Sequence, residues 1–314
     1  LNNRSLVRRE SFGTLGLIIV TIFWGFGFPA LKIVGEHFPT FYMIGFRFGI
    51  ASIILLALFY KKVKLIDKKL MKSGFVLSII LFLTYIFATV GIRYTTSARA
   101  SFFSCLSVLI IPFLLRVFLK VKITKKTILS VMVCTAGLFL ISYTKGMGLA
   151  IASGDLICMF CSFCYAAHIV ITGVLAGDND AALLTMIQMG FVSIFAFTIA
   201  IFTEQFPSNP SALSIGTLIF LGVFGSALAF YLQTECQKFI SSARVGVIFS
   251  LEPVCGVLAS YLVLGDSLGI NGILGGVCIF FALIYQEVDF GFKNKKKEIE
   301  EQRDLPIKEK GIES

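Results

Sequence analysis

The chain has 314 residues, 57% of them hydrophobic and only 15% charged, with a mean hydropathy of +0.89. That composition leaves too little charged surface for a water-soluble domain and fits a bundle of membrane spans. The formal charge of +10 sits in short loops between apolar runs, so it reads as membrane topology and speaks against a nucleic-acid partner.

A bilayer core about 30 Å thick takes roughly 20 apolar residues per helix. Ten segments meet that length, at about 13–34, 40–60, 73–92, 97–119, 127–144, 154–175, 181–203, 213–236, 242–264 and 268–288. The ten-residue alternation of a membrane β-barrel is not visible. The first run follows Arg4, Arg8 and Arg9, as in a signal peptide, but it is too long, and Pro29, Leu31 and Lys32 follow in place of small cleavage-site residues. It is expected to be a retained span. The charged segment 289–314 reads as a cytoplasmic tail.

Basic residues set the orientation. They gather at the N-terminus, in the second connection (Lys61, Lys62, Lys64, Lys68, Lys69, Lys72), in the fourth (Lys120, Lys122, Lys125, Lys126), at Lys238 and after Lys293. With ten spans these fall on one side, which makes both termini cytoplasmic. Arg93 and Arg99 on the poorer side are the exceptions, and the Asp178-Asn179-Asp180 connection lacks a basic residue. All eight cysteines lie inside apolar runs, where they serve as small hydrophobes rather than as disulfides. Cys158, Cys161 and Cys164 share a helix face, but no other ligand cluster completes a metal site.

Self-similarity divides the chain. Ser97-Ala98-Arg99 matches Ser242-Ala243-Arg244 at an offset of 145, and an offset of 141 places Gly13 on Gly154, Trp24 on Tyr165 and Arg47 on Gln188. The halves are 13–144 and 154–288, five spans each. An odd span count makes the second half enter from the opposite face. The basic loop Lys120–Lys126 agrees, because its counterpart Gly265–Asn271 has no lysine. The expected fold is therefore all-α and integral to the membrane: ten helices as two inverted five-helix repeats. Such repeats build alternating-access carriers with a midplane site between the halves.

Several stretches resemble one family. They are Phe23-Trp24-Gly25-Phe26-Gly27-Phe28-Pro29, Phe46-Arg47-Phe48, Tyr94-Thr95-Thr96-Ser97-Ala98 and Leu251-Glu252-Pro253-Val254. In order, spacing and duplication they resemble the EamA-type members of the drug/metabolite transporter superfamily, over nearly the whole membrane part. The resemblance implies a ten-span secondary transporter for amino acids, other metabolites or drugs, often an exporter. The chain departs from the family pattern at Leu264-Gly265-Asp266, where Leu-Gly-Glu is common, and at Pro112, four residues later than Pro253 implies.

An ionisable group at the centre of a span costs about 2.5 kcal/mol or more, which makes each one a functional candidate. Glu252 leads, beside Pro253, whose missing N–H lets the helix bend and open polar backbone to a cavity. It either binds a substrate amine or carries a proton, or else it is neutralised by a partner such as Arg47 or Arg99. His168 either accepts a proton or hydrogen bond from substrate, or is a neutral histidine tied to a neighbouring helix. Trp24, the only tryptophan, and its mate Tyr165 either wall a central cavity or simply pack. Arg47 either clamps a substrate carboxylate or ties helices together. Gly25, Gly27 and Pro29 are expected to make the first span irregular, as a gating element needs, and Pro112 and Pro253 are gating or structural candidates in the fourth and ninth spans. Gly272 and Gly276 permit close helix approach, within the chain or in a homodimer.

The expected partners are a small-molecule substrate and the bilayer of the cytoplasmic membrane. No cofactor is expected. An integral-membrane enzyme would need clustered catalytic groups, and only His37 and His168 exist, without a metalloprotease, hydrolase or nucleotide-binding motif.

Overall fold

A long uncharged apolar run in a bilayer must satisfy each backbone N–H and C=O within its own segment, and a helix does so. The computed structural model describes residues 3–91, 94, 103, 105–142, 153–264 and 270–287, and all regular structure among them is helical. α1 is Asn3–Gly35, α2 Thr40–Phe59, α3 Lys68–Gly91, α4 Ser107–Phe118, α5 Lys125–Ser142, α6 Ser153–Ala176 and α7 Ala181–Thr203. α8 covers Ala212–Cys236 and contains a π-helical turn at Val223–Leu228. α9 is Ser242–Phe249, α10 Glu252–Leu264 and α11 Ile270–Glu287.

Among the described residues, six helical segments are long and apolar enough to cross a membrane: Glu10–Gly35, Thr40–Leu65, Lys68–Gly91, Ser153–Ala176, Ala181–Thr203 and Ala212–Cys236. The other expected spans are represented by shorter helices. α4 has 12 residues, and α5 and α11 have 18 each. The ninth expected segment is divided at Ser250 and Leu251 into α9 and α10. Most of 97–104, with Arg99, lies outside the described residues, as do Arg93, Asp266 and the segment 289–314.

Side-chain caps fix several helix starts. Asp67 Oδ1 accepts from the Leu70 N–H at 2.7 Å, so α3 begins at Lys68, earlier than hydropathy alone suggests. Lys68, Lys69 and Lys72 thus belong to its opening turns rather than to a loop. Asp180 caps α7, accepting from Ala182 and Leu183 at 3.0 and 3.2 Å. Ser211 caps α8 through the Ser214 N–H. Each oxygen satisfies a donor that the first helical turn leaves over.

α2 and α7 form the most extensive helix pair. The Glu204 carboxylate, just past the end of α7, accepts from the Phe41 and Tyr42 N–H groups at the start of α2, at 2.9–3.0 Å. At the opposite end, Lys62 pairs with Asp180 at 2.7 Å. The two helices are therefore antiparallel. α5 and α11 are also antiparallel: Lys126 lies over the Tyr285 ring at 6.0 Å, and a Cβ on Gly137 would lie 2.7 Å from the Gly275 carbonyl oxygen. Small residues let these backbones approach; Ser193 Oγ donates to the Gly45 carbonyl at 2.8 Å.

The interior is apolar and close-packed around Leu17, Ile44, Phe48, Leu77, Ile111, Ile169, Leu184 and Phe230. The outside is apolar too, with Ile53, Leu58, Ile201 and Phe202 among many exposed side chains. A surface of that kind fits lipid rather than water.

Candidate functional site

α1 brings Trp24 to the middle of the bundle because Gly25 lets it press against α10. A Cβ on Gly25 would lie 2.7 Å from the Cys255 carbonyl carbon and 2.8 Å from the Gly256 nitrogen. Gly27 is under no such pressure, with its nearest neighbour at 3.8 Å. The expected irregularity of the first span is not found: α1 runs unbroken through Gly25, Gly27 and Pro29, and α4 runs unbroken through Pro112.

Trp24 is buried at the centre of an aromatic cluster. Its ring lies 6.0 Å from Tyr165, 5.3 Å from Phe230 and 5.0 Å from Phe249. His168 completes the group, 6.4 Å from Tyr165 and 6.0 Å from Phe230. The cluster joins α1, α6, α8 and α9, and so brings the repeat mates Trp24 and Tyr165 into contact. Phe230 and Phe249 were not singled out by sequence. Phe249 stands three residues before Glu252, a spacing that could have drawn attention to it.

The π-helical turn of α8 organises the polar side of this cluster. A π turn widens the helix and frees carbonyls from its ladder. The Gly225 carbonyl accepts both from Trp24 Nε1 at 2.9 Å and from Arg47 Nη2 at 3.0 Å. Arg47 Nε donates to Ser226 Oγ at 2.7 Å, and the guanidinium lies 5.1 Å from the Tyr85 ring and 5.6 Å from Phe48. Arg47 is buried, and the turn and the aromatic faces together hold its charge.

Glu252 starts α10 directly after the break at Ser250 and Leu251, with Pro253 buried behind it. Pro253 has no N–H for the Phe249 carbonyl four residues earlier. The Glu252 side chain is partly exposed. It lies within electrostatic range of Arg47, Tyr85, Cys105 and Tyr165. Among the described residues no ion pair reaches it. Arg47 thus shares the site with Glu252 while its bonds go to α8.

His168 is fully buried, and its Nε2 meets Gln188 Oε1 at 3.0 Å. Gln188, the repeat mate of Arg47, thus ties α6 to α7. Among the described residues no group of His, Cys, Asp or Glu could hold a metal ion. The Asp180 carboxyl lies beside the bundle. Burial alone would raise it, but Lys62 and the Leu183 and Ala182 amides outweigh burial and hold it below the usual carboxylate range.

The model of the EamA-like transporter family matches residues 11–143 and 152–285. A protein from Archaeoglobus fulgidus, named as an uncharacterized transporter, is 28% identical over 88% of this chain and 86% of its own length. Two Bacillus subtilis proteins carry the same kind of name. YyaM is 25% identical over 85% of this chain and 91% of its own. YetK is 24% identical over 87% and 88%. A solved crystal structure with 16% identity superposes with a TM-score of 0.76, covering 88% of this chain and 96% of that one; this supports the fold alone. With its apolar helices and this match over both halves, the chain is a multi-pass membrane protein that belongs to the EamA-like transporter family.

Proposed function

We propose that the chain is a ten-span secondary transporter that moves a small amphipathic or amino-acid-like metabolite across the cytoplasmic membrane by alternating access, as an exporter. The two halves, 13–144 and 154–288, act as inverted repeats with both termini in the cytoplasm. The opposed course of α2 and α7, and of α5 and α11, supports the inversion, because each pair holds equivalent places in the two halves. Transporter-named relatives support the carrier role.

The observation that carries the substrate reading is Glu252. It is an acid at a helix break, beside aromatic rings, with its nearby cation already bonded elsewhere. A membrane-embedded carboxylate of that kind suits the amine of a substrate whose apolar body lies on Trp24, Tyr165 and Phe249. Counterflow of radiolabelled candidate amino acids and amines in proteoliposomes tests it. Glu252→Gln is expected to lower the rate by about tenfold or more. An unaffected rate removes Glu252 from the mechanism.

A further inference from the structure

Below the aromatic cluster, three helices of the second half are joined by neutral polar side chains. His168 of α6 meets Gln188 of α7 at 3.0 Å. Thr185 of α7 donates to Thr234 of α8 at 3.2 Å. Gln237, just past α8, donates to the Ile169 carbonyl of α6 at 2.8 Å, and Ser242 reaches the same carbonyl at 3.4 Å. The bonds close a ring through α6, α7 and α8 at one level, where all three helices approach the same membrane face. Gln233 adds to the ring through Gln237, at 3.1 Å.

The ring is only half satisfied by protein. His168 Nδ1, Gln188 Nε2, Thr172 Oγ1 and Gln233 Oε1 are buried without a hydrogen-bond partner among the described residues, and Tyr165 Oη above them is in the same condition. His168, Thr172, Gln188 and Gln233 have no solvent exposure. Tyr165, His168 and Thr172 are spaced three and four apart, so they line one face of α6. Buried polar atoms in proteins are paired with protein or with internal water, and a water needs two to four polar partners. Here donors and acceptors of both kinds are present and none is charged.

The layer belongs to one half only. At the repeat offset of 141, His168 falls on Gly27, Thr172 on Leu31 and Thr185 on Ile44. The first half is apolar at these three positions and carries the charged Arg47 at the position of Gln188, so this neutral polar layer is not repeated there. Its lower edge, Gln237, is adjacent to the Lys238–Glu235 ion pair at 2.7 Å, which is partly exposed.

We infer that this layer is a hydrated chamber: an internal water-binding site of the second half, lined by His168, Thr172, Gln188 and Gln233. It carries the polar surface of the central site from Tyr165 toward Gln237. Water is its ligand, and a neutral hydrogen-bonding group is the chemistry it accepts. No substrate is needed to fill the chamber, so it stands or falls independently of the transport reading.

Hydroxyl-radical footprinting of the wild-type protein in lipid nanodiscs tests it, with mass-spectrometric readout and rates corrected for intrinsic reactivity. Radicals formed from a bound water oxidise the side chains that touch it. His168 is expected to be modified about tenfold or more faster than Phe48 and Met189, which are equally buried and bring no unpaired polar atom to hold a water. A His168 rate no higher than theirs overturns the chamber. So does fast modification of all three residues, which would reflect general permeation of the bundle.

Discussion

Arg47 and Ser226 are joined by a 2.7 Å hydrogen bond between the second and eighth helices, 179 residues apart in sequence. The same guanidinium reaches the Gly225 carbonyl, so two directions of its rigid fork are committed to one π-helical turn. Lysine has a single ammonium nitrogen and lacks the planar fork that reaches the two acceptors from separate nitrogens. Arg47→Lys is expected to lower stability by about 2 kcal/mol, from one lost charge-assisted bond and one buried acceptor left over. Thermal unfolding in nanodiscs measures that loss. Transport should then fall equally for substrates with and without a carboxylate; a selective rise in KM for carboxylates alone would show Arg47 to be a substrate clamp instead.

Gly25 governs how closely α1 approaches α10. An added Cβ would overlap backbone atoms of Cys255 and Gly256, which cannot swing aside as a side chain can. Gly25→Ala is expected to destabilise the protein by about 1–3 kcal/mol, the usual range for overpacking. Gly27→Ala, with 3.8 Å to its nearest neighbour, should be close to neutral. Comparing the two midpoints in one thermal scan separates tight packing from a general intolerance of α1 to substitution.

Glu204 supplies a helix cap from another helix. Its carboxylate covers the Phe41 and Tyr42 N–H groups where Pro39 precedes α2 without a capping side chain. Negative charge there also meets the positive end of the helix dipole. Glu204→Ala should reduce stability by about 1–2 kcal/mol, and Glu204→Gln, which keeps an acceptor oxygen, by less. Equal losses in the two variants would count against the cap.

Asp180 gives a pH-dependent contribution whose sign follows from its lowered value. A carboxyl held below its ordinary 3.8 adds stability that is fully present above that value and is lost as pH falls through the lower folded one. Asp180→Ala should therefore lower the unfolding midpoint at neutral pH by removing the α7 cap and the Lys62 pair. The difference from wild type should narrow as pH drops below about 4. A gap that stays constant from neutral to acid pH would contradict this assignment.

Hydropathy located the six long spanning helices, because the requirement for about 20 apolar residues is local. The weakening of the helix beside Glu252 was also legible, since the missing N–H of Pro253 acts on its own helix, but the interruption at Ser250 and Leu251 fell inside one expected span. The repeat offset marked Trp24 and Tyr165 as equivalent positions, while their direct contact, with ring centroids 6.0 Å apart, was not legible from it. The partners of Arg47 did not follow from anything local. They depend on a π-helical turn in Val223–Leu228, a stretch of small and apolar residues that reads as ordinary helix. Phe230 and Phe249 were hidden for a similar reason: among 33 phenylalanines, only the three-dimensional arrangement distinguishes those that face Trp24. The Glu204 cap likewise joins residues more than 160 positions apart.

The pairing of α2 with α7 carries a mechanical consequence. The two helices are pinned at both ends, by Glu204 at one and by Lys62 with Asp180 at the other. Piston-like sliding along their common axis would have to break both pins at once. Rolling of one helix against the other disturbs these contacts less, so the pair is expected to resist sliding more than turning.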